Sequence, residues 1–529
     1  MDRRQFMGTM AAGAAGATLG TRAVAGGAGR PNIVLILADD MGFADLGCYG
    51  SEIGTPNLDR MAAEGMQFTQ FYNCARCCPT RASLLTGLYP HQAGVGHMTD
   101  KRKPPAYQGY LNHHGVTIAE ALKPAGYHTY MTGKWHVGLD EGMWPVDRGF
   151  DEYFGILVGS ASYFHPAGLA KNHERVSPGD NFYTTDAFTD SALEMIKAGR
   201  AKDADPFFLY LAYNAPHWPL HAKEEDIAKY EDRYLSGWDK LRPERHARQK
   251  ELRVVDPRWE LSPRDRATPP WALLDPVRKR IMARKMAVYA AMVDCMDQNI
   301  GRLFAALTSM GIMDNTLVMF LSDNGASNEW TAFGMDYLPV RGGGAPTGKI
   351  GSPHSSASYG RGWSNVGNTP FRLHKHWTHE GGISAPLIAR WPGVIKPGSL
   401  TGEVGHVMDL MATCVDVAGA SYPKEYNGEA VTPCEGLSLR PVFAGAGRPG
   451  HEALYWEHEG NRAVRRGEWK IVSDYPGSWH LFNLAEDRTE NHNLAQRDPE
   501  RVAEMARLHQ EWSDRVGVVK WHPLWGLAT

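Results

Sequence analysis

The segment Cys77-Cys78-Pro79-Thr80-Arg81 contains the strongest candidate for a reactive residue. A helix predicted over residues 80–85 would have Pro79 near its first turn. Cys77 would then lie at a helix N-terminus, where free N–H groups and the helix dipole favour negative charge. Arg81, one turn along, could bind the same anion. The alternatives are a buried structural cysteine or half of a zinc site, but no second Cys/His pair of matching spacing exists.

Two acidic dipeptides supply a second group of candidates. Asp39-Asp40 follows the apolar run 33–38, and Asp323-Asn324 ends the run that begins at 317. Adjacent carboxylates repel each other unless a cation lies between them. Three carboxylates with an amide oxygen suit a hard divalent ion, Ca²⁺ more readily than Zn²⁺. Each dipeptide alone could instead be a helix cap or a turn.

Lysines and histidines form a third group. Lys134 and His136 are two residues apart and would face the same way in an extended segment, although a surface turn is the alternative. His217 follows another apolar run and is flanked by two prolines. Lys375 stands among histidines that are expected to be structural or at the surface: His374, His376 and His379.

These residues must be positioned by a regular framework. Apolar runs at 33–38, 127–131, 207–213, 317–321 and 387–389 are predicted strands, and helical patterns lie at 57–64, 117–122, 186–198 and 285–307. Strands separated by helices predict an α/β fold with a large, mostly parallel (mixed) central sheet sandwiched by helices. Ligands bind such sheets beyond the carboxyl ends of the strands. Four runs deliver candidate residues to that edge, which predicts one site there.

The chain is expected to divide into a catalytic domain over 31–445 and a C-terminal subdomain over 450–529, with a small antiparallel sheet and a closing helix near 499–514. Within the first domain, 340–366 is predicted to be a Gly/Ser-rich loop near the active edge. Residues 222–275 form a predicted insertion that could wall a substrate cleft. Tryptophans in or near it could stack against a sugar ring: Trp218, Trp238, Trp259 and Trp271.

Composition excludes several classes of protein. The 529 residues carry 56 Lys and Arg against 59 Asp and Glu, a net charge of −3, so no basic footprint for nucleic acid is present. No apolar run approaches the roughly 20 residues of a membrane-spanning helix, so no integral membrane segment is expected. Seven cysteines cannot form a disulfide scaffold in a chain this long, and pairing of Cys414 with Cys434 stays open.

The N-terminus has the pattern of a targeting segment. Residues 1–25 begin with Arg3-Arg4-Gln5-Phe6, continue through a Gly/Ala-rich stretch and end in Ala23-Val24-Ala25. Paired arginines followed by phenylalanine resemble a twin-arginine signal peptide. We therefore expect transient contact with the twin-arginine export machinery and a periplasmic or secreted location; a disordered Gly/Ala tail is the alternative.

The cysteine segment and its continuation Leu85-Thr86-Gly87 resemble the signature of the type I sulfatases of the alkaline phosphatase superfamily. The resemblance extends over residues 31 to about 495, and segments 368–372 and 379–382 place it closest to the bacterial arylsulfatases. It implies that a formylglycine-generating enzyme oxidises Cys77 to formylglycine (3-oxoalanine). It also implies a set of Ca²⁺ ligands: Asp39, Asp40, modified Cys77, Asp323 and Asn324.

The same resemblance implies hydrolysis of small-molecule aryl or alkyl sulfate monoesters. Arg81, Lys134, His217 and Lys375 would bind the sulfate group. A hydroxyl of the hydrated aldehyde at position 77 would attack sulfur, and His136 would deprotonate the other hydroxyl to release inorganic sulfate. The proton for the leaving oxygen would come from His217 or Lys375, and the sequence does not choose between them.

Three other functions remain open at this point. A phosphonate monoester or phosphodiester hydrolase of the same superfamily shares the cysteine motif and metal site, but the presence of both Lys134 and His136 favours a sulfate. A carbohydrate sulfatase differs only in its substrate. A non-catalytic sulfate-ester binding protein would use the same pocket, although a competent residue occupies every expected catalytic position.

Overall fold

A central sheet of eleven strands dominates the described part of the chain. The computed structural model describes residues 29–329, 331–335 and 348–522. The predicted export segment at 1–25 and residues 340–347 of the Gly/Ser-rich loop lie outside these ranges. The strands of the sheet are β1 (Asn32–Ala38), β2 (Met66–Tyr72), β3 (His128–Lys134), β4 (Glu152–Ile156), β5 (Leu169–Lys171), β6 (Glu174–Arg175), β7 (Phe207–Ala212), β8 (Thr316–Ser322), β9 (Ser384–Arg390), β10 (Ser399–Thr401) and β11 (Gly405–His406).

The sheet is mixed, with a parallel centre. Its order is β10-β2-β9-β8-β1-β7-β3-β4-β5-β6, and β11 also pairs with β2. Strands β8, β1, β7, β3 and β4 run parallel, whereas β9 is antiparallel to both β8 and β2. All five predicted strands are present, and the predicted fold class is confirmed.

Apolar side chains project from both faces of the sheet. Along β1, Val34 and Ile36 enter one core cluster, whereas Ile33, Leu35 and Leu37 enter another. This alternation follows from the two-residue period of a strand. Because both faces are covered, β1, β7 and β8 are buried along their whole length, which explains their continuous apolar sequences.

Helices cover the two faces. The long helix α7, in contact with α1, α4 and α5, contributes a continuous series of buried side chains to one face. The helices are α1 (Pro56–Ala63), α2 (Cys77–Thr86), α3 (Ile118–Leu122), α4 (Thr184–Lys202), α5 (Glu224–Ala228), α6 (Trp238–Glu251), α7 (Pro276–Ser309), α8 (Gly360–Gly367), α9 (Glu380–Ile383), α10 (Asp409–Val417), α11 (Arg440–Phe443) and α12 (Pro499–Val516).

The C-terminal part forms a second, antiparallel sheet with a closing helix, as predicted. A short hairpin of β12 (Glu425–Tyr426) and β13 (Glu429–Ala430) precedes it. Its strands, β14 (Leu454–His458), β15 (Asn461–Arg466), β16 (Trp469–Ser473) and β17 (His480–Asn483), pair in sequence order. Helix α12 packs against β15 and β16.

The tryptophans of the predicted insertion belong to the core, so the expectation that they face a sugar is wrong for three of them. Trp238 and Trp271 pack at a ring-centroid distance of 4.6 Å, and both contact Trp363. Trp259 is buried and donates a hydrogen bond to the carbonyl of Ala485. The aromatic residues of segment 222–275 therefore pack this segment against the rest of the domain. Half-buried Trp218 is the exception, since it lines a cleft beside His217.

Two further sequence expectations concern membranes and disulfides. No helix in the described ranges combines the length and apolar composition needed to cross a membrane. All seven cysteines lie within those ranges and are free thiols, including Cys414 and Cys434.

Candidate active site

The carboxyl ends of four parallel strands bring the predicted residues together. Asp39-Asp40 follows β1, Lys134 ends β3, His217 lies five residues beyond β7, and Asp323-Asn324 follows β8. Lys375 comes from the loop after α8, and Cys77 and Arg81 come from α2. None of these residues, nor His136, is more than 5% exposed.

Helix α2 presents Cys77 as its first residue. The helix begins three residues earlier than predicted, because Pro79 needs no N–H partner in a first turn. Arg76 before it is extended (φ −150°), so the chain enters the helix sharply at the cysteine. Every residue of α2 is buried, which fixes the position of Cys77 relative to the sheet.

Arg81 and Lys134 neutralise two of the buried carboxylates. The guanidinium group of Arg81 lies 2.9 Å from Asp323 Oδ2 and 3.4 Å from Asp39 Oδ2. It also donates a 2.8 Å hydrogen bond to the carbonyl of Lys134. The ammonium group of Lys134 lies 2.5 Å from Asp39 Oδ2. The two cations therefore link α2, β1, β3 and β8 at one point.

Asp40 is the centre of a second set of contacts. Lys375 Nζ lies 2.7 Å from Oδ1 and 2.9 Å from Oδ2 of this carboxylate. Asn324 donates to Oδ1 at 2.7 Å, and His217 Nε2 lies 3.5 Å from Oδ2. The backbone of Asp40 is left-handed (φ 68°), and its N–H donates to Asp323 Oδ1 at 3.1 Å.

The carboxylates carry the electrostatic signature of a cation site. Burial, with repulsion from Asp39, raises the pKa of Asp323 to about 8. Burial also acts on Asp40, but Lys375 and His217 outweigh it and hold the pKa at about 2. Asp39 Oδ1 and Asn324 Oδ1 are buried and have no hydrogen-bond partner in the described ranges. Unsatisfied oxygens beside crowded carboxylates fit a hard divalent cation.

Cys77 and His136 lie side by side: together with Cys78, they place one ligand atom each within 4.8 Å of one another. A hydrogen bond from Cys78, with the positive charge of Lys134 and Lys375, outweighs burial and holds the pKa of the Cys77 thiol well below its ordinary value. Burial lowers the pKa of His136 to about 4, so its imidazole is neutral near pH 7. The sequence suggested that the extended segment continues through His136. In the structure, the backbone of His136 is instead left-handed (φ 59°).

Gly159 makes room for the imidazole of His136. A side-chain carbon at position 159 would lie 2.4 Å from the ring. Sequence reasoning did not find this glycine, because its role depends on a contact between segments that are 23 residues apart. The orientation of His136 is therefore fixed by packing as well as by its own backbone.

A cleft of about 300 Å³ opens above Cys77. His136, His217 and Lys375 line the floor of this cleft. Its outer wall consists of residues that sequence reasoning missed: Arg76, Met98, Thr99, Leu139, Val158, Gly159, Ser160 and Glu329. The wall comes from loops, and no periodic pattern in the sequence marks it. The floor presents the ammonium group of Lys375 and two neutral imidazoles, whereas part of the wall is apolar, so the cleft suits an anion attached to an apolar body.

The chain is similar to known sulfatases. The family model described as "Sulfatase" matches residues 31–420, and that of the N-sulphoglucosamine sulphohydrolase C-terminal region matches residues 371–516. An arylsulfatase of Klebsiella aerogenes is 35% identical over 78% of this chain and 92% of its own. A mouse N-acetylgalactosamine-6-sulfatase is 29% identical over 89% of this chain and 77% of its own. The solved structure of Ps i-CgsB in complex with k-i-k-neocarrahexaose has a TM-score of 0.68 and 27% identity, and the match covers 94% of this chain and 96% of the other.

Proposed function

This chain belongs to the sulfatase family, and we propose that it cleaves sulfate monoesters with a formylglycine formed from Cys77 and a Ca²⁺ ion bound beside it. The proposal rests on one observation: three buried carboxylates lie around Cys77. Cationic or imidazole groups from α2, β3 and three loops lie around it as well. Three carboxylates and three basic side chains buried together are costly even when paired, so an ordinary core would not contain such a cluster.

Asp39, Asp40, Asp323 and Asn324 would hold the cation, with the modified side chain of residue 77 as a further ligand. When bound, Ca²⁺ would supply positive charge where negative charge develops on the substrate and nucleophile. The unpartnered oxygens of Asp39 and Asn324 support this assignment. Oxygen-only ligands favour calcium over zinc.

The protein's own residues supply the proton transfers and the anion contacts. A hydrated aldehyde at position 77 would provide the attacking hydroxyl group, which a thiol cannot replace without leaving a stable sulfur adduct. His136, neutral near pH 7, can accept a proton from the other hydroxyl group. Arg81, Lys134 and Lys375 would surround the sulfate oxygens, and His217 or Lys375 would protonate the leaving oxygen.

We propose aryl or alkyl sulfates as the substrate class. Met98, Leu139, Val158 and Trp218 give the cleft wall apolar surface that suits an aromatic or aliphatic leaving group. The burial of Trp238, Trp259 and Trp271 removes the aromatic platform that would have favoured a sugar.

A carbohydrate sulfate is the second candidate. Arg76, Thr99, Ser160 and Glu329 line the same cleft and could hydrogen-bond to sugar hydroxyls. The mouse relative is named for a sugar sulfate, and the solved neighbour holds k-i-k-neocarrahexaose. Matched turnover assays with an aryl sulfate, an alkyl sulfate, a sugar sulfate and an aryl phosphonate would separate these classes and the phosphonate alternative.

The sequence also supports a proposal on the order of modification and export in the cell. The twin-arginine pattern at 1–25 is typical of export after folding, so the formylglycine-generating enzyme would act before the protein reaches the periplasm or the medium.

The modification of Cys77 is the decisive test. We expect mass spectrometry of the peptide containing Cys77 in active protein to show formylglycine. Cys77→Ala should lose nearly all turnover while keeping its fold, measured by circular dichroism and thermal unfolding. Cys434→Ser, a half-buried thiol that does not line the cleft, is the matched control and should keep both the modification and the activity. Full turnover by protein that carries only unmodified Cys77 would refute the mechanism.

A further inference from the structure

A second cluster of metal-binding side chains lies where the C-terminal sheet meets the catalytic domain. His376 belongs to the loop that carries Lys375, and His458 and Glu459 lie at the end of β14 and in the turn to β15. We call His376, His458 and Glu459 the junction cluster. It contains none of the residues assigned above to sulfate, formylglycine or calcium.

The atoms of the junction cluster are spaced as metal ligands are. One ligand atom from each residue lies within 4.8 Å of the other two. His376 Nδ1 is 3.2 Å from Glu459 Oε2, and His458 Nε2 is 3.7 Å from Glu459 Oε1. Bonds of about 2.1 Å in a tetrahedral zinc site place neighbouring ligand atoms about 3.4 Å apart. Small side-chain movements would therefore suffice to surround an ion.

His458 lacks the partners that a buried histidine normally has. Its side chain is 1% exposed, and within the described ranges neither ring nitrogen makes a hydrogen bond. An unsatisfied buried polar group lowers stability, so such groups are uncommon unless a ligand or an ordered water satisfies them. Coordination through one ring nitrogen would supply the missing interaction.

The protonation states also suit a metal. Burial holds the pKa of His458 well below its ordinary value and lowers the pKa of His376, so both rings are neutral near pH 7. Metal binding requires deprotonated ligands of this kind. Burial alone would raise the pKa of Glu459, but a hydrogen bond from His97 and the positive charge of Arg76 lower it, which keeps the carboxylate ionised.

The surroundings orient the carboxylate and balance the charge. His97 Nε2 lies 2.8 Å from Glu459 Oε1, and its Nδ1 lies 3.2 Å from Asp100. Ligands in metal sites are commonly held by such outer hydrogen bonds. Arg76 and His97, whose pKa its two carboxylate partners raise, oppose a cation here, and the negative charges of Glu459 and Asp100 offset them.

We propose that His376, His458 and Glu459 bind one Zn²⁺ ion, with the fourth position left to water. Two imidazoles and one carboxylate form a zinc-type ligand set, in contrast to the oxygen ligands around Asp39. The ion would tie the β14–β15 turn to the loop of Lys375, and so would fix the position of a residue that lines the cleft. This inference stands without the proposed formylglycine chemistry.

Metal content is the direct test. Full-length protein is stripped with a chelator, dialysed against Zn²⁺ and Ca²⁺, desalted and measured by inductively coupled plasma mass spectrometry. We expect about one zinc per chain in wild type and in Cys77→Ala. His376→Gln and His458→Gln should each lose that zinc and keep the calcium content of wild type. His492→Gln, an exposed histidine between β17 and α12 that belongs to none of the groups of potential metal ligands in the described ranges, is the control and should retain zinc.

Two further readouts distinguish this site from the carboxylate site. Zinc should raise the Tm of wild type and of His492→Gln, but not of either junction variant, because only a bound ion stabilises the folded state. Co²⁺ in place of zinc should give the strong visible absorption of a tetrahedral site in wild type and lose it in His376→Gln. His376 is partly exposed, so this variant is expected to fold even if His458→Gln does not.

The proposal fails if wild type retains no zinc after dialysis, or if both junction variants retain as much as wild type. It also fails if Asp323→Asn removes the zinc while His376→Gln keeps it, since the ion would then occupy the carboxylate site. Failure of the sulfatase proposal would instead appear as absent formylglycine and absent turnover, with zinc content unchanged.

Discussion

At the scale of single residues, the contacts of Lys375 and His217 favour one of them as the proton donor to the leaving oxygen in the proposed reaction. Lys375 donates to both oxygens of Asp40. Burial would lower the pKa of its ammonium group, but the negative charge of Asp40 outweighs burial and raises that pKa. His217 has a pKa lowered to about 4 by burial, but its ring borders the cleft. A bound sulfate monoanion would raise that pKa, because nearby negative charge favours the imidazolium form. The geometry therefore favours His217 as the acid.

This assignment predicts a dependence on the leaving group. We expect His217→Asn to lower kcat/KM by about 10²–10⁴-fold for sulfate esters of alcohols, whose alkoxides are poor leaving groups, and to have a far smaller effect on esters of acidic phenols. Lys375→Met should lower kcat/KM by a similar factor for every ester, because it removes an anion contact. The measurement is a plot of log kcat/KM against leaving-group pKa for each variant. Equal slopes for His217→Asn and wild type would contradict the role of His217.

The histidines beside Lys375 show what the sequence could and could not establish at this scale. The sequence singled out Lys375 only through family resemblance and could not rank its neighbours. In the structure, His374 bonds to Ser364 and Asp265, which makes it structural, whereas His376 reaches Glu459 in another domain. These partners lie between 10 and 109 residues away in sequence, so no local pattern could have identified them.

At the scale of elements, a buried ion network joins the C-terminal sheet to the catalytic domain. Lys470 on β16 lies 2.9 Å from Glu380, the first residue of α9, and 2.8 Å from Glu490. Arg488 also contacts Glu380, at 2.9 Å. All four side chains are fully buried. Removing one partner of a buried ion pair leaves an uncompensated charge, which is far more costly than losing a pair at the surface.

We therefore expect Lys470→Met to lower the free energy of unfolding by about 3–5 kcal/mol, measured by urea denaturation. Arg466→Ala, in the neighbouring strand, is the control: it breaks an ion pair with Glu504 in which both side chains are more than 40% exposed, so about 0–1 kcal/mol is expected. Adding Glu490→Gln to Lys470→Met should recover part of the loss. A loss below 1 kcal/mol for Lys470→Met would show that the network contributes little.

The elements themselves were largely predictable, and the reasons are physical. Buried parallel strands are continuous apolar runs, so β1, β7 and β8 were visible in the sequence to within a residue or two. The edge strands β5, β6, β10 and β11 were not, because two or three residues carry no periodicity. The tryptophans of 222–275 were misplaced because composition cannot tell an aromatic core residue from an aromatic binding surface.

At the scale of the whole molecule, buried neutral histidines couple stability to pH. Burial lowers the pKa of His221 and His509 to about 4 and that of His406 to about 3. All three lie outside the proposed calcium site and the junction cluster. In the unfolded chain they titrate near 6.5, so between about pH 6.5 and 4 the unfolded state binds protons that the folded state does not.

The sign of this linkage predicts an acid-labile fold. A folded-state pKa below the unfolded value contributes stability that is complete above about pH 6.5 and is lost as pH falls toward 4, by about 1–2 kcal/mol per histidine between pH 7 and 5. His509→Gln should reduce that loss of stability by the share of one histidine, about 1–2 kcal/mol. Glutamine keeps a donor for the carbonyl of Trp456 and does not titrate. Exposed His173→Gln is the control and should leave the slope unchanged. Urea unfolding at pH 7 and pH 5, with metal content held constant, measures the difference; a free energy of unfolding that rises toward pH 5 would contradict the linkage.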